Sequence, residues 1–175
     1  MSDVLKKFEQ INTLVFDMDG VLTDGSLLIM PGGSFLRTMD IKDGYALQLA
    51  FKKGFRVLVI SGSTSDACVE RLNYLGIVEV FMKVPDKLAM LQNYLKAHQL
   101  SPDEVLYMGD DIPDLAAMQY VGLACAPCDA VTDVLAVADY ITLARGGKGA
   151  AREVIEKVMR LKNCWDTDAA EIASK

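Results

Sequence analysis

Two aspartates, Asp17 and Asp19, stand two positions apart directly after the apolar run at residues 14–16. Gly20 follows them and lets the backbone turn sharply. Carboxylates crowded at the end of a buried strand repel each other and lose solvation, and a bound cation would relieve both costs. With a hard divalent cation such as Mg²⁺ between them, one carboxylate can act as a nucleophile while the other transfers protons.

Two other structures could produce the same acidic segment. An EF-hand loop that begins at Asp17 requires Gly at its sixth position and Glu at its twelfth, but Leu22 and Leu28 stand there, which excludes it. An Asp-rich turn after a strand, without a catalytic role, remains compatible with the segment taken alone. The rest of the chain has to distinguish a site from a turn.

Polar clusters follow two other apolar runs of the chain. The run at residues 56–60 ends in Ser61-Gly62-Ser63, and the run at 105–108 is followed by a group of aspartates. Ligands of open α/β sheets bind beyond the carboxyl ends of the strands, so we expect the three clusters to meet at one edge. The aspartates of the last cluster are Asp110, Asp111 and Asp114.

Each cluster also has a purely structural explanation. The serines could cap the following helix, and Asp111 and Asp114 could stand at a helix start because the helix dipole favours acids there. Asp110 is harder to explain in that way, because it lies directly at a predicted strand end. A lone helical lysine such as Lys87 is usually solvated, and His98, the single histidine, is expected at the surface without chemistry.

Together, however, the clusters and Lys87 are the set that phosphoryl transfer requires. A carboxylate attacks phosphorus, while Mg²⁺ and a lysine offset the charge on the phosphoryl oxygens. A hydroxyl and backbone N–H groups then hold the phosphate.

The elements that must position these residues alternate between strand and helix. Continuous apolar runs are typical of parallel strands covered on both faces, and stretches of helical spacing separate them. The sequence therefore predicts an α/β fold with a doubly wound, Rossmann-like parallel sheet, and places Phe51 and Ala67 on core-facing sides of helices. Strands are predicted at about 13–16, 56–60, 78–81, 105–108, 121–126 and 139–143, and helices include 85–97, 130–138 and 150–161.

Two segments fall outside this alternation. Residues 26–30 and 34–39 are β-prone and flank Pro31-Gly32-Gly33, which predicts a β-hairpin at about 26–39. The tail at about 163–175 is short and acidic, and we expect it either to fray or to dock on a neighbouring subunit.

Composition limits the function classes. The 175 residues, 51% of them hydrophobic, fit a single domain over 1–175 with its own core. The net charge of −6 argues against a nucleic-acid partner. The first ten residues lack the apolar core of a signal peptide and no apolar run approaches a membrane span, so a cytoplasmic protein without a membrane partner is predicted. The four cysteines are then expected as reduced thiols.

Four segments, in order along the chain, resemble the motifs of the haloacid dehalogenase superfamily: residues 16–25, Ser61-Gly62, Lys87 and residues 109–114. A closer likeness covers nearly the whole chain. The hairpin in place of a cap domain, together with residues 40–44 and 146–153, resembles the 3-deoxy-D-manno-octulosonate 8-phosphate (Kdo 8-phosphate) phosphatase family. The resemblance implies a phosphatase that produces Kdo for bacterial lipopolysaccharide.

The resemblance also implies roles for the acidic residues. Asp17 is the expected nucleophile and passes through an aspartyl-phosphate, while Asp19 is the expected acid and base. Mg²⁺ is expected on Asp17, on the backbone carbonyl of Asp19 and on Asp110. Asp111 and Asp114 are expected behind this set, where they would orient the metal ligands and the catalytic lysine.

The same resemblance assigns the phosphate and the sugar to other side chains. Ser61, the Gly62 N–H and Lys87 are expected on the phosphate, and Arg71 is expected to face the anionic sugar acid. The likeness further implies a homotetramer in which each hairpin closes a neighbouring site and the tails are able to reach an adjacent one.

The chain departs from this family at Ser63, where an arginine is usual. Without that cation the sequence does not determine which sugar-acid phosphate is the substrate. A related nine-carbon sugar-acid 9-phosphate is an alternative. Two non-phosphatase hypotheses also stand: a catalytically weak superfamily member that serves as a binding scaffold, and a receiver-like phosphoacceptor. Intact acids at Asp17, Asp19 and Asp110 argue against the scaffold, and the hairpin argues against the receiver.

Overall fold

The computed structural model describes residues 3–165 and is built on a six-stranded parallel sheet. The strands of this sheet are β1 (Thr13–Phe16), β4 (Arg56–Ile60), β5 (Glu79–Phe81), β6 (Val105–Met108), β7 (Leu123–Ala126) and β8 (Tyr140–Ile141). They lie side by side in the order β5-β4-β1-β6-β7-β8, which confirms the predicted α/β, Rossmann-like class.

Strand β1 is central because its four residues are buried and it pairs on both sides. Phe16 at its end lies opposite Val59 of β4 and opposite Met108 of β6. The three strands run in parallel and end at nearly the same level. The loops that follow them therefore leave the sheet at the same edge, as the polar clusters predicted.

Helices cover both faces of the sheet. They are α1 (Asp3–Gln10), α2 (Ile41–Lys52), α3 (Asp66–Tyr74), α4 (Lys87–Ala97), α5 (Leu115–Tyr120), α6 (Thr132–Val137) and α7 (Ala150–Leu161), and short 3₁₀ turns span Pro102–Glu104 and Ile112–Asp114. Leu14 and Phe16 of β1 pack with α1, α2, α3 and α7, whereas Val15 packs with α4, α5 and α6 on the opposite face. This alternation explains why the strand is apolar throughout.

The predicted hairpin is present and shorter than expected. Strands β2 (Leu28–Ile29) and β3 (Phe35–Leu36) pair antiparallel beyond the end of β1, apart from the main sheet. Their side chains are exposed, Ile29 by 71% and Phe35 by 52%. The hairpin thus presents an apolar surface that the described part of this chain does not cover.

Three local expectations were wrong or incomplete. Helix α1 was not foreseen, because its residues are mostly polar and only Phe8 is fully buried. Phe51 is 46% exposed, because it follows Ala50, the last buried residue of α2. Its ring lies over Gly76. Ala67 is exposed, because Cys68 and Leu72, four residues apart, form the core-facing side of α3.

The sequence also led to expectations about the C-terminal tail, membrane-spanning segments and the cysteines. Most of the acidic tail, residues 166–175, lies outside the described residues. Within residues 3–165, none of the helices is both long and apolar enough to cross a bilayer. All four cysteines are free thiols, and Cys68 and Cys125 are buried.

Candidate active site

The three polar clusters and Lys87 line one pocket of about 310 Å³ at the carboxyl edge of β1, β4 and β6. The structure thus brings together residues that are up to about a hundred positions apart in the chain. The lining consists of Asp17, Asp19, Gly25, Ser61, Gly62, Ser63, Lys87, Asp110, Asp111, Pro113 and Asp114.

Lys87, expected on the phosphate, is the first residue of α4 and reaches inward, whereas a lone helical lysine is usually solvated. Its side chain is 6% exposed, and its Nζ lies 2.8 Å from Asp17 Oδ1 and 2.7 Å from Asp114 Oδ1. Asp86 caps the helix by accepting from the Ala89 N–H at 2.9 Å, which fixes the start of α4. Burial alone would lower the pKa of Lys87, but the two carboxylates raise it, so the ammonium stays charged.

Both carboxylate oxygens of Asp114 accept hydrogen bonds from groups of the protein. Its Oδ1 also accepts a hydrogen bond of 2.7 Å from the buried Tyr107 hydroxyl, and its Oδ2 accepts from the N–H groups of Asp110 and Asp111. Tyr107 was missed at the sequence level, although a tyrosine in a buried strand needs a partner for its hydroxyl. Burial, and then the charge of Asp114, raise the pKa of this tyrosine.

Asp17 and Asp110 form the electrostatically costly part of the pocket. Burial, followed by the charge of Asp114, raises the pKa of Asp17 to about 6, although Lys87 opposes the change. Burial, followed by the charge of Asp17, raises the pKa of Asp110 to about 8. Asp110 Oδ1 is buried without a hydrogen-bond partner among residues 3–165. An orphaned oxygen beside a second carboxylate is the environment that a hard cation stabilises.

The glycine at position 20 allows the Asp110 carboxylate to lie close to the loop after β1. Gly20 has φ +88°, and a Cβ at this position would overlap the carboxyl group of Asp110. Glycine is therefore required here by conformation and by space.

The oxygens of Asp17, Asp110 and Asp114 lie within 4.8 Å of one another and could together hold a metal ion. Asp114 is the weakest of the three candidates, because both of its oxygens already accept hydrogen bonds from the protein. Asp17 and Asp110 are the better ligands, since Asp110 retains a free oxygen.

Asp19 has a different environment from Asp17. Arg37 donates from Nε to Asp19 Oδ1 at 2.6 Å and from Nη2 to Oδ2 at 3.1 Å, and the Ser63 hydroxyl donates to Oδ2 at 2.6 Å. Burial would raise the pKa of Asp19, but the hydrogen bonds from Arg37 and Ser63 lower it. Arg37 was missed at the sequence level, because nothing in the hairpin pattern indicates that its side chain turns back to this pocket.

The phosphate-binding candidates lie on the loop after β4. Ser61 is 1% exposed, and its hydroxyl lies 3.0 Å from that of Ser63. The N–H of Ser63 donates to Ser61 Oγ at 3.2 Å, which curls the loop around this hydroxyl. Gly62 is an exposed residue, and its N–H has no acceptor within the described chain, which leaves it available to an anion.

Two residues expected at the site, Asp111 and Arg71, are placed differently from the other candidates. Asp111 lines the pocket, but its carboxylate accepts from the Ile112 N–H at 2.7 Å and caps the following 3₁₀ turn. Arg71 is absent from the pocket lining; its guanidinium lies beside Gly44 and 5.7 Å from the Tyr74 ring centroid. His98 is exposed, as expected, and does not line the pocket.

Comparison with known proteins identifies close relatives. Residues 68–154 match a family described as haloacid dehalogenase-like hydrolase. The 3-deoxy-D-manno-octulosonate 8-phosphate phosphatase of Escherichia coli K12 is 34% identical over 158 residues, which are 90% of this chain and 84% of the relative. The enzyme of the same name from Salmonella typhimurium is 35% identical over 156 residues, 89% of this chain and 83% of the relative.

Solved structures agree in fold. The Moraxella catarrhalis 3-deoxy-D-manno-octulosonate 8-phosphate phosphatase, in complex with magnesium, phosphate and KDO, superposes with a TM-score of 0.92 at 31% identity and covers 98% of both chains. The Yersinia pestis enzyme superposes with a TM-score of 0.90 at 32% identity, covering 93% of this chain and 88% of its own.

Proposed function

Since the chain belongs to the 3-deoxy-D-manno-octulosonate 8-phosphate phosphatase family of haloacid dehalogenase-like phosphoric monoester hydrolases, we propose that it hydrolyses this sugar-acid phosphate to Kdo and phosphate. The observation that carries the proposal is the pairing of Asp17 with Lys87, 2.8 Å apart, beside the unpartnered Asp110 oxygen. A nucleophilic carboxylate, a fixed cation and an open cation ligand are the parts that phosphoryl transfer needs. Release of Kdo would serve lipopolysaccharide biosynthesis.

The proposed cofactor is Mg²⁺, held by Asp17, Asp110 and the backbone carbonyl of Asp19. The high pKa values of Asp17 and Asp110 support this choice, because two buried carboxylates ionise together more readily beside a cation. When bound, Mg²⁺ would offset negative charge on the phosphoryl oxygens.

In the proposed reaction, Asp17 attacks phosphorus and the bond from phosphorus to the sugar oxygen breaks. Asp19, a carboxylate in the free chain, takes up a proton from solvent in the substrate complex and gives it to the departing oxygen, leaving free Kdo and an aspartyl-phosphate. Asp19, now a carboxylate, takes a proton from a water molecule that attacks the phosphorus, and this step restores Asp17 and releases phosphate. Lys87, the Ser61 hydroxyl and the Gly62 N–H hold the phosphoryl oxygens.

The substrate proposal has one alternative, which rests on Ser63. Its hydroxyl points into the pocket and is engaged with Asp19, whereas an arginine at this place could pair with the sugar carboxylate. A nine-carbon sugar-acid 9-phosphate is therefore the second candidate. Arg71 would face the sugar only if another subunit or a rearrangement completes the site, because it lies outside the pocket of the single chain.

The assembly proposal is a homotetramer, and the exposed apolar hairpin supports it. Leu28, Ile29, Phe35 and Leu36 are each about half or more exposed, and association would bury them. The location of the enzyme in the cytoplasm and the absence of a nucleic-acid partner remain predictions from the sequence.

Phosphate release with Mg²⁺ from three substrate classes tests the function: the eight-carbon acid phosphate, the nine-carbon acid phosphate and simple hexose phosphates. Preference for the eight-carbon acid supports the proposal, and preference for the nine-carbon acid replaces it with the alternative. Asp17→Asn should abolish turnover without loss of fold. Absence of turnover on every substrate would instead favour the scaffold hypothesis, and a phosphorylated protein lasting minutes would favour the receiver.

A further inference from the structure

The side chain of Arg37 behaves differently from the rest of its hairpin. Its neighbours Phe35 and Leu36 are 52% and 49% exposed, whereas the Arg37 side chain is 6% exposed. The guanidinium turns back toward the carboxyl edge of the sheet of its own chain. The chain thus places a buried cation at the pocket from a segment that otherwise faces outward.

Both oxygens of Asp19 are engaged by this guanidinium. The Nε and Nη2 groups donate to separate carboxylate oxygens at 2.6 and 3.1 Å, which is the two-point geometry that fixes the plane of a carboxylate. Nη2 also lies 3.4 Å from the Ser63 hydroxyl, which itself donates to Asp19. Arg37 and Ser63 therefore hold Asp19 from two sides.

Lys87 does not share this task. Its ammonium contacts Asp17 and Asp114, and no contact joins it to Asp19 within residues 3–165. The pocket consequently has two separate cation pairs, one at the proposed nucleophile and one at the proposed acid–base group. Loss of the Arg37 pair should therefore impair proton transfer by Asp19, whereas loss of the Lys87 pair should impair attack by Asp17.

We propose that Arg37 is the positioning residue of the Asp19 carboxylate and that the hairpin completes the active site of its own chain in this way. The inference rests on the proposed phosphatase function. It differs from the expectation that the hairpin acts on a neighbouring site, because the distances join Arg37 and Asp19 within one chain. Without its two-point partner the Asp19 side chain would rotate away from the leaving oxygen, and once protonated in the substrate complex it would transfer that proton less effectively.

The first experiment compares two leaving groups in Arg37→Ala. The sugar-acid phosphate releases an alkoxide that needs a proton, whereas p-nitrophenyl phosphate releases a phenolate that does not. We expect kcat/KM for the sugar-acid phosphate to fall about 100-fold, as for a misplaced catalytic group, and kcat/KM for the aryl phosphate to change less than about threefold. Guanidinium ion added in solution should restore part of the lost activity toward the sugar-acid phosphate.

Controls separate this inference from the proposed function. Arg160→Ala, an exposed arginine of α7 paired with Glu156, should leave both values unchanged. Equal losses on both substrates, or no loss on either, would overturn the positioning role. If the unmodified enzyme released no phosphate from sugar-acid phosphates, the proposed function itself would fail, whatever Arg37 does.

The second experiment asks which chain's Arg37 serves a given site. Chains carrying Asp17→Asn and chains carrying Arg37→Ala are co-expressed with different tags, and hybrid oligomers are isolated with both tags. If Arg37 acts within its own chain, the hybrid shows only the residual activity of the Arg37→Ala sites. Recovery toward half of the unmodified activity would show that a neighbour supplies Arg37 and would overturn the proposal. If no hybrid is recovered and the unmodified protein has the mass of a monomer in solution, Arg37 must act in its own chain.

Discussion

Lys87 and Asp114 form a buried ion pair, with Nζ 2.7 Å from Oδ1 and side chains that are 6% and 0% exposed. The pair is 27 positions apart in the chain and joins the start of α4 to the turn after β6. Because Asp114 is fixed by Tyr107 and by two backbone N–H groups, it holds the ammonium against Asp17. The aspartate thus acts on the pocket without presenting a free oxygen to it.

We predict that Asp114→Asn lowers both stability and turnover. Replacing one member of a buried pair should cost about 3 kcal/mol of unfolding free energy, the lower end of the usual range, since Lys87 keeps Asp17 as a partner. Urea unfolding and phosphate release measure the two effects. Asp103→Asn, an exposed aspartate at the opposite end of β6, serves as the control and should change neither. A fully active Asp114→Asn enzyme would contradict the orienting role.

The pH dependence of stability follows from Asp17 and Asp110. Their pKa values, about 6 and about 8 in the metal-free fold, exceed the ordinary value of 3.8. The folded chain holds these protons at pH values at which the unfolded chain has released them. Their contribution to stability is therefore fully present below about pH 4 and is lost as the pH rises through 6 and then 8.

We accordingly predict that the metal-free protein melts at a lower temperature at pH 8.5 than Asp110→Asn does, and that the difference shrinks toward pH 5. Mg²⁺ should raise the melting temperature of the unmodified protein more at pH 8.5 than at pH 5, and should have little effect on Asp110→Asn. Thermal melts in EDTA and in Mg²⁺ supply the measurement. A Mg²⁺ effect that is equal in both proteins would remove Asp110 from the metal site.

Alanine substitutions at Gly20 and at Gly54 together test whether the loop after β1 must approach Asp110 closely. Gly20 and Gly54 have similar positive φ values, +88° and +86°, but a Cβ at Gly54 would meet nothing within 4 Å. Gly54→Ala should therefore cost only the conformational penalty of about 1 kcal/mol. Gly20→Ala should incur that penalty and also displace the Asp110 carboxylate, weakening Mg²⁺ binding at least about tenfold. Equal Mg²⁺ affinities in the two variants would contradict this interpretation.

Asp43 offers a prediction that separates stability from catalysis. This carboxylate is 2% exposed and accepts hydrogen bonds from the N–H groups of Gly149 and Arg152, at 3.1 and 2.7 Å, at the start of α7. Asp43→Ala would leave these two part-buried N–H groups without that partner and should cost about 1 kcal/mol. We expect kcat to change little at temperatures where the variant is folded.

Denaturant unfolding and kinetics on the same preparations check this separation. Asp133→Ala, in the exposed first turn of α6, is the matched control and should unfold like the unmodified protein. A large loss of kcat in folded Asp43→Ala would instead indicate that the contact between α2 and α7 positions residues of the pocket.

The sequence by itself determined the sheet and the positions of the three polar clusters. Apolar runs of three to five residues, alternating with stretches of helical spacing, indicate buried parallel strands, because the helices cover both faces of such a sheet. Acids and serines directly after those runs must then lie at the carboxyl edge of the sheet. For this reason the residue pattern alone was enough to place Asp17, Ser61 and Asp110 at that edge and to locate α7 at residues 150–161.

Only the tertiary structure decided which partner each of these groups has. A lysine at a helix start is expected to be solvated, but Lys87 is buried because α4 contacts the 3₁₀ turn after β6, so that its ammonium reaches Asp114 and Asp17. Arg37 lies in a hairpin of exposed apolar residues, yet its guanidinium meets Asp19 across 18 positions. The Tyr107 hydroxyl likewise meets Asp114, whose oxygens also accept from Lys87 and from two backbone N–H groups. Pairings of this kind depend on the folded path of the backbone in space, which local pattern and propensity do not encode.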